Sequence, residues 1–218
     1  EIEGDQAVPL WFEAGEILAK HLGESTSAEE RLMKALELDP HHLPSLKALI
    51  ELYKEREDWG KAQKIMLEAE HHTQNRLEKI QLLCEAARVR HDHLDQPEAA
   101  ADVYAQVLSL DPEHVEAGDR VARAWVESGR YSEVAGVLEM LVRKVDDRTE
   151  KGRYSALLAQ VASKLGDAKK AAKHYRLAYE SDREALEPAL GYGETLFAEK
   201  SWDELEKVVD LETSEEPE

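Results

Sequence analysis

Residues 36–42 read LELDPHH and residues 108–114 read LSLDPEH, and these two stretches decide the fold. Their prolines, Pro40 and Pro112, stand 72 residues apart. The same offset carries Leu43 onto Val115, Leu49 onto Val121, Tyr53 onto Trp125, Trp59 onto Tyr131 and Met66 onto Leu138. It also carries Arg76, Glu78 and Lys79 onto Arg148, Glu150 and Lys151. Self-similarity at a fixed period is the signature of a stacked repeat architecture. The unit of 72 divides in two. A small or apolar residue recurs at Ala28, Ala62, Ala100, Val134, Ala171 and Leu205, with gaps of 34, 38, 34, 37 and 34 residues. An aromatic follows alternate turns (Trp59, Tyr131, Trp202), whereas a leucine precedes the others (Leu22, Leu94, Leu165).

Within each half the pattern is helical. Leu46, Leu49, Ile50 and Tyr53 recur at i, i+3, i+4 and i+7, the apolar stripe of an amphipathic helix. Asn75 with Glu78, Asp147 with Glu150, Asp95 with Glu98 and Ser201 with Glu204 have capping-box spacing and predict helix starts. Asp39-Pro40 and Asp111-Pro112 predict an N-cap acid before a proline suited to the first helical turn. No stretch alternates with period two for long enough to make a strand. The expected fold is all-α, a right-handed α-solenoid of about six helix-turn-helix repeats in three pairs of about 72 residues. The repeats span about 9–42, 43–75, 76–114, 115–147, 148–185 and 186–211, with an acidic tail at 212–218. The extra residues of the longer gaps are expected at the ends of the second helices of repeats two and four. Residues 1–218 are expected to form a single array. The start at Glu1, with no Met, reads as a segment excised from a longer protein.

Composition narrows the function. The 218 residues carry 47 acids against 28 Lys and Arg, a formal net charge of −19. Phosphate binding needs a cationic field, so general nucleic-acid binding is not expected, nor is direct binding to an anionic membrane. Seven of the acids fall outside the predicted repeats (Glu1, Glu3, Asp5, Glu212, Glu215, Glu216 and Glu218), leaving the array itself at −12. One cysteine, Cys84, rules out an internal disulfide framework and a cysteine-rich zinc site. With no signal-like or membrane-spanning run in the segment, a cytoplasmic location is favoured. The nine histidines include adjacent pairs, His41-His42 and His71-His72, and the spaced pair His91 and His93. Neighbours at i+1 and i+2 diverge on a helix, so no metal site is expected and these read as solvated turn residues. Cys84 and His91 are two turns, about 10 Å, apart on one helix, too far for a nucleophile and its base. Cys84 reads as a partly buried filler. Gly191-Tyr192-Gly193 lacks the preceding strand and third glycine of a dinucleotide loop, so it reads as helix packing. Neither an enzyme nor a cofactor is expected.

The recurring residues resemble the tetratricopeptide repeat. That pattern puts a small residue in the first helix, here Gly15, Ala87, Ala122, Ala159 and Gly193, with Ile50 departing. A large residue follows at Leu18, Tyr53, Trp125 and Leu196, with Arg90 and Ala162 departing. In the second helix Ala28, Ala62, Ala100 and Ala171 precede Leu32, Met66, Tyr104 and Tyr175 by four. Residues 43–70 match this spacing best. HEAT and armadillo units, at about 40–47 residues, are longer than these.

The resemblance implies a concave groove lined by first helices, holding a peptide or a partner protein. Carried onto this sequence, its outward positions include Lys47, Glu51, Lys54 and Glu55, then Arg88, His91 and Asp92. They continue with Asp119, Arg123 and Glu127, then Arg153, Gln160 and Lys164. The implied groove is mixed in sign, with basic residues threaded through an acidic protein. Relatives that clamp the acidic tail of a chaperone use groove asparagines. The single asparagine here, Asn75, lies at a predicted helix start, so that ligand is not expected. The leading expectation is a non-catalytic protein-protein interaction scaffold. Two alternatives remain open: an assembly module that self-associates through its solenoid ends, motivated by the apolar Val208, Val209 and Leu211, and a regulatory domain of a larger enzyme.

Overall fold

The computed structural model describes residues 4–213, and side chains from Ala7 to Val208. Asp5, Val209, Leu211 and the acidic tail therefore lie outside the described side chains. Twelve α-helices follow one another, with no strand among the described residues. They are α1 (Gly4–Ile17), α2 (Ser25–Leu38), α3 (Leu43–Glu55), α4 (Trp59–His72), α5 (Arg76–Asp92) and α6 (Pro97–Leu110). Then come α7 (Val115–Glu127), α8 (Tyr131–Lys144), α9 (Arg148–Lys164), α10 (Ala168–Ser181), α11 (Leu186–Glu199) and α12 (Trp202–Thr213). A π-helical turn, Leu18–Leu22, extends α1. The chain forms two compact units, Glu1–Pro112 with α1 to α6 and Glu113–Glu218 with α7 to α12.

The helices pair through small residues. Ala28, Ala62, Ala100, Val134 and Ala171 are all buried where second helices begin, and one turn later on the same helices the large residues Leu32, Met66, Tyr104 and Leu138 are buried too. Close approach explains several of the glycines. A Cβ on Gly15 would lie 2.7 Å from Leu32 Cγ, and one on Gly152 would lie 2.6 Å from Ser181 Cβ. In the last pair the tight position is Gly191, whose added Cβ would meet the Tyr175 ring at 2.4 Å. Gly193, the expected small slot, has its nearest neighbour, Leu205, at 3.6 Å.

The turns inside the six pairs share one device. Each contains a residue with positive φ: Gly23, Glu57, Asp95, Gly129, Gly166 and Lys200. Their spacing is again 34, 38, 34, 37 and 34 residues. A left-handed residue ends a helix by redirecting the chain, and glycine adopts it without a Cβ penalty. Only three of the six are glycine.

Several expected helix ends move. Asp39 and Asp111 close α2 and α6 instead of opening the next helix. Asp39 Oδ1 accepts from the His41 backbone N–H at 3.0 Å, which makes a turn, and α3 then begins after His42 with Pro44 in its first turn. In the second unit His114 Nδ1 accepts from Ala117 N–H and caps α7. Asp95 takes the left-handed turn position, so α6 starts after Gln96 without a side-chain cap. Asn75 and Asp147 do cap α5 and α9. The extra residues of the longer gaps sit in these two first helices, each 17 residues long, while α4 and α8 keep 14. The 72-residue match of Arg76 with Arg148 also has a structural cause. Arg76 donates to the Leu110 carbonyl at the end of α6, and Arg148 donates to the Glu180 carbonyl near the end of α10. A guanidinium there satisfies orphan carbonyls at the negative end of the helix dipole.

The histidines are not simply solvated. His93 stacks on Trp59 with ring centroids 3.8 Å apart. His41 lies against His72, with centroids 4.1 Å apart, although the two come from different turns. His42 bonds Ser45 and meets Phe12 edge-on, and His174 is buried. Sequence neighbours diverge as expected, but residues 31 apart converge through the repeat. Among the described residues no group of three or more His, Cys, Asp or Glu could hold a metal ion. Cys84 is a buried thiol in α5, at 5% exposure more fully enclosed than expected.

Candidate interaction face on the first helices

In each unit the first helices of successive pairs are linked by polar side chains. In the first unit Lys47 and Lys54, two turns apart on α3, reach Glu78 and Glu85, two turns apart on α5. The Lys54–Glu85 contact is 2.6 Å, and Lys54 also reaches Glu51 at 3.2 Å. The Glu85 hydrogen bond holds the Lys54 ammonium above the ordinary lysine pKa, against partial burial, with help from Glu51. In the second unit Asp119 on α7 gathers Arg123 at 3.1 Å, Arg153 of α9 at 3.0 Å and the Tyr154 hydroxyl at 2.8 Å. Burial, and then the Asp119 carboxylate that accepts its proton, push the Tyr154 phenol up to about 12. Gln160 of α9 donates to Glu187 of α11. Half-exposed pairs of this kind contribute about 0–1 kcal/mol each. Their regular placement fixes the register between neighbouring first helices more than it adds stability.

The sequence-predicted residues are thus on the expected helices, but most of the basic ones are already matched. Lys47, Lys54, Arg123 and Arg153 each hold an acid of their own or the adjacent first helix. His91 Nδ1 meets Asp92 at 2.7 Å, and Arg88 is exposed on α5. Glu127 and Lys164 are exposed near the ends of α7 and α9. The expected basic thread is a set of charge-compensated rungs.

The first unit adds a cavity of about 260 Å³ between α1 with its π-turn and α3. Its floor is apolar, with Ala19, Leu32, Ala48 and Leu52. Its rim carries Glu16, Lys20, Lys47, Glu51 and Glu55. Lys20 pairs with Glu16 across one turn, and Lys47 is taken by Glu78. Sequence reading found Lys47, Glu51 and Glu55 but missed Glu16, Lys20 and Ala19. A π-turn closes i to i+5 bonds, so it rotates following residues away from where a 3.6-residue period projects them. The signal available was Gly23, whose left-handed backbone closes that turn at the Leu18 carbonyl.

Paired amphipathic helices, a linked first-helix face and an apolar cavity on that face define a helical-repeat scaffold. Two family models, both described as Tetratricopeptide repeat, match the chain: one at residues 94–161, the other at residues 8–42 and 152–184. Together they cover more than half of it, and the chain belongs to the tetratricopeptide repeat family. Two solved structures with TM-scores above 0.5 agree on the fold. The MamA RS-1 ArsTM double mutant is similar at a TM-score of 0.53 and 18% identity, over 81% of this chain and 97% of that one. MamA 41-end from Desulfovibrio magneticus RS-1 is similar at 0.51 and 19% identity, over 80% and 97%. YrrB, a TPR protein with an unusual peptide-binding site, has a TM-score of 0.48 and 16% identity, over 91% and 92%. No curated protein matches the sequence. Among the described residues no helix is long and apolar enough to cross a membrane.

Proposed function

We propose that residues 1–218 act as a single array of six repeats and serve as a non-catalytic scaffold, docking a peptide or partner protein along a concave first-helix groove. The observation that carries this reading is the cavity between the π-turn and α3, an apolar floor inside a charged rim on the first-helix face. Its volume of about 260 Å³ suits one or two apolar side chains of an extended ligand. Lys47, Glu51, Lys54, Arg88 and His91 would flank the ligand in the first unit. Arg123, Glu127, Arg153, Gln160 and Lys164 would do so in the second. Because the lysines are already paired, affinity should come from side-chain insertion more than from charge.

Peptides selected from a random display library on the wild-type chain test this. Ala48→Trp fills the cavity from a partly exposed position and should weaken the enriched peptides at least about tenfold without altering the thermal melt. Equal binding to both proteins, or no enrichment, would remove this face as the docking site.

A second reading, self-association through the C-terminal helix pair, has its own observation. Leu186, Leu190, Phe197 and Trp202 of the last helix pair are all more than half exposed, and Leu190 and Phe197 line a cavity of about 400 Å³ between α11 and α12. Apolar surface of this kind marks an interaction site more often than bare solvent contact. Sedimentation of wild type across a concentration series should reveal a dimer or longer assembly that Phe197→Asp abolishes. A wild-type chain that stays monomeric at every concentration would sink the reading.

A further inference from the structure

The first and last helix pairs expose surfaces that the pairs between them bury. On α1, Leu10 and Ile17 are 49% and 52% exposed, and Ala14 between them is partly exposed. The 72-residue period carries these three onto Leu82, Ala86 and Val89 of α5, and then onto Tyr154, Leu158 and Val161 of α9. All six of those residues are buried. Leu82, Ala86 and Val89 share one core cluster with Leu46, Ile50 and Ala62 of α3 and α4, and Ile65 packs against it. The i, i+4, i+7 stripe is thus the face that α5 turns toward the preceding pair. At the C-terminal pair, the offset from Glu57 to Lys200 carries Leu46, Ile50, Ala62 and Ile65 onto Ala189, Gly193, Leu205 and Val208. Those four line the open apolar groove between α11 and α12, and no helix among the described residues fills it.

We propose that α1 of a second copy seats in this groove, with Leu10, Ala14 and Ile17 in the places that Leu82, Ala86 and Val89 take against α3 and α4. The inference rests on the self-association reading above and names the surface that the C-terminal pair meets. The alternation of the repeats selects that occupant. Repeat six has the aromatic Trp202 after its turn, as repeats two and four have Trp59 and Tyr131. Repeats two and four are each followed by a repeat of the other kind, with Leu94 or Leu165 before its turn. Repeat one, with Leu22, is of that kind, so a second copy continues the 72-residue period across the junction. Leu190 and Phe197 stand at the positions of Lys47 and Lys54, so the junction has apolar contact where the first unit has charged rungs. Glu13 takes the position of Glu85 and stays at the wet rim. The two surfaces differ, so the contact is heterologous and each added copy presents a fresh groove.

Analytical ultracentrifugation of two variants of the full chain at physiological salt tests the proposal. Leu10→Asp/Ile17→Asp blocks the α1 surface, and Phe197→Asp blocks the groove. All three positions are about half exposed or more, and circular dichroism checks that both variants keep their helices. Wild type should gain mass with concentration, while each variant alone stays monomeric. An equimolar mixture of the two should form a complex of two chains and nothing larger, because each supplies the surface the other lacks. If Leu10→Asp/Ile17→Asp self-associates as wild type does, α1 is not the occupant, and the C-terminal pair meets a second C-terminal pair instead. A mixture that stays monomeric also overturns the proposal. A wild type that is monomeric at every concentration removes the self-association reading itself, and this inference with it.

Discussion

In a urea titration Leu32→Ala is expected to lose about 2–5 kcal/mol of stability relative to wild type. Leu32 has no exposed surface and belongs to the core cluster of the first unit with Ala28, Leu49, Tyr53, Ala62 and Met66. Removing three carbons there forfeits transfer free energy and leaves a hole that the surrounding helices close only in part. Collapse is limited because Gly15 already sits against Leu32 with no side chain of its own to move inward. The same leucine forms the floor of the α1–α3 cavity, so the variant should also change which apolar side chain a selected peptide prefers. A cost below about 1 kcal/mol would mean that α1 shifts to refill the space, and that the close Gly15–Leu32 approach is not a constraint on the fold.

The second large effect comes from a carboxylate. Glu29 on α2 accepts from the Tyr53 hydroxyl of α3 at 2.8 Å, from Arg56 at 2.5 Å and from Lys61 of α4 at 3.1 Å. It therefore ties the first helix pair to the second. Partial burial pushes its pKa up, but the hydrogen bonds from Tyr53, Lys61 and Arg56 outweigh it and hold the group below the ordinary glutamate value. Tyr53 is 4% exposed, so Glu29→Ala strands its hydroxyl, and loss of that one bond to a charged acceptor should cost about 1.5–3 kcal/mol at neutral pH. The sign of the pH dependence follows from the depressed native pKa. The contribution is complete above the unfolded value of about 4.3 and fades as pH falls through the lower native value. Wild type and Glu29→Ala should therefore differ fully above about pH 5 and converge in stability under more acidic conditions. A gap that stays constant from neutral pH to acid would show that Tyr53 packing, and not the charged hydrogen bond, carries the effect.

Local signals suffice where one residue acts on its immediate neighbours. Asn75 and Asp147 cap the helices that follow them because the capping geometry lies within three residues. Asp39 and Asp111 looked alike but close the preceding helix. An Asp-Pro pair is compatible with either a helix start or a turn, and the turn through His41 prevails. The histidines show the other limit. His41 and His72 meet because the repeat brings their turns together, something no comparison of adjacent residues could find. The candidate face divides in the same way. Lys47 and Lys54 could be assigned to one side of α3 from helical period alone. Their partners Glu78 and Glu85 became visible only once α5 was placed beside α3.

The sequence by itself determined the repeat. Small residues at Ala28, Ala62, Ala100 and Ala171 recur because every helix pair must solve the same close-packing problem. That recurrence fixed the all-α class, the number of pairs and the 34-to-38-residue rhythm. Only the tertiary structure decided how each pair turns and which charges remain free. Glu57, Asp95 and Lys200 occupy the left-handed position that Gly23, Gly129 and Gly166 fill elsewhere. Aspartate adopts that backbone more readily than most residues, whereas at Glu57 and Lys200 the packing of the flanking helices imposes it. Likewise, the composition marked Lys54 and Lys173 equally as cations in an acidic chain. Glu85 lies beside the first, whereas among the described residues no acid pairs with the second, and that difference belongs to the packing of helices distant in sequence.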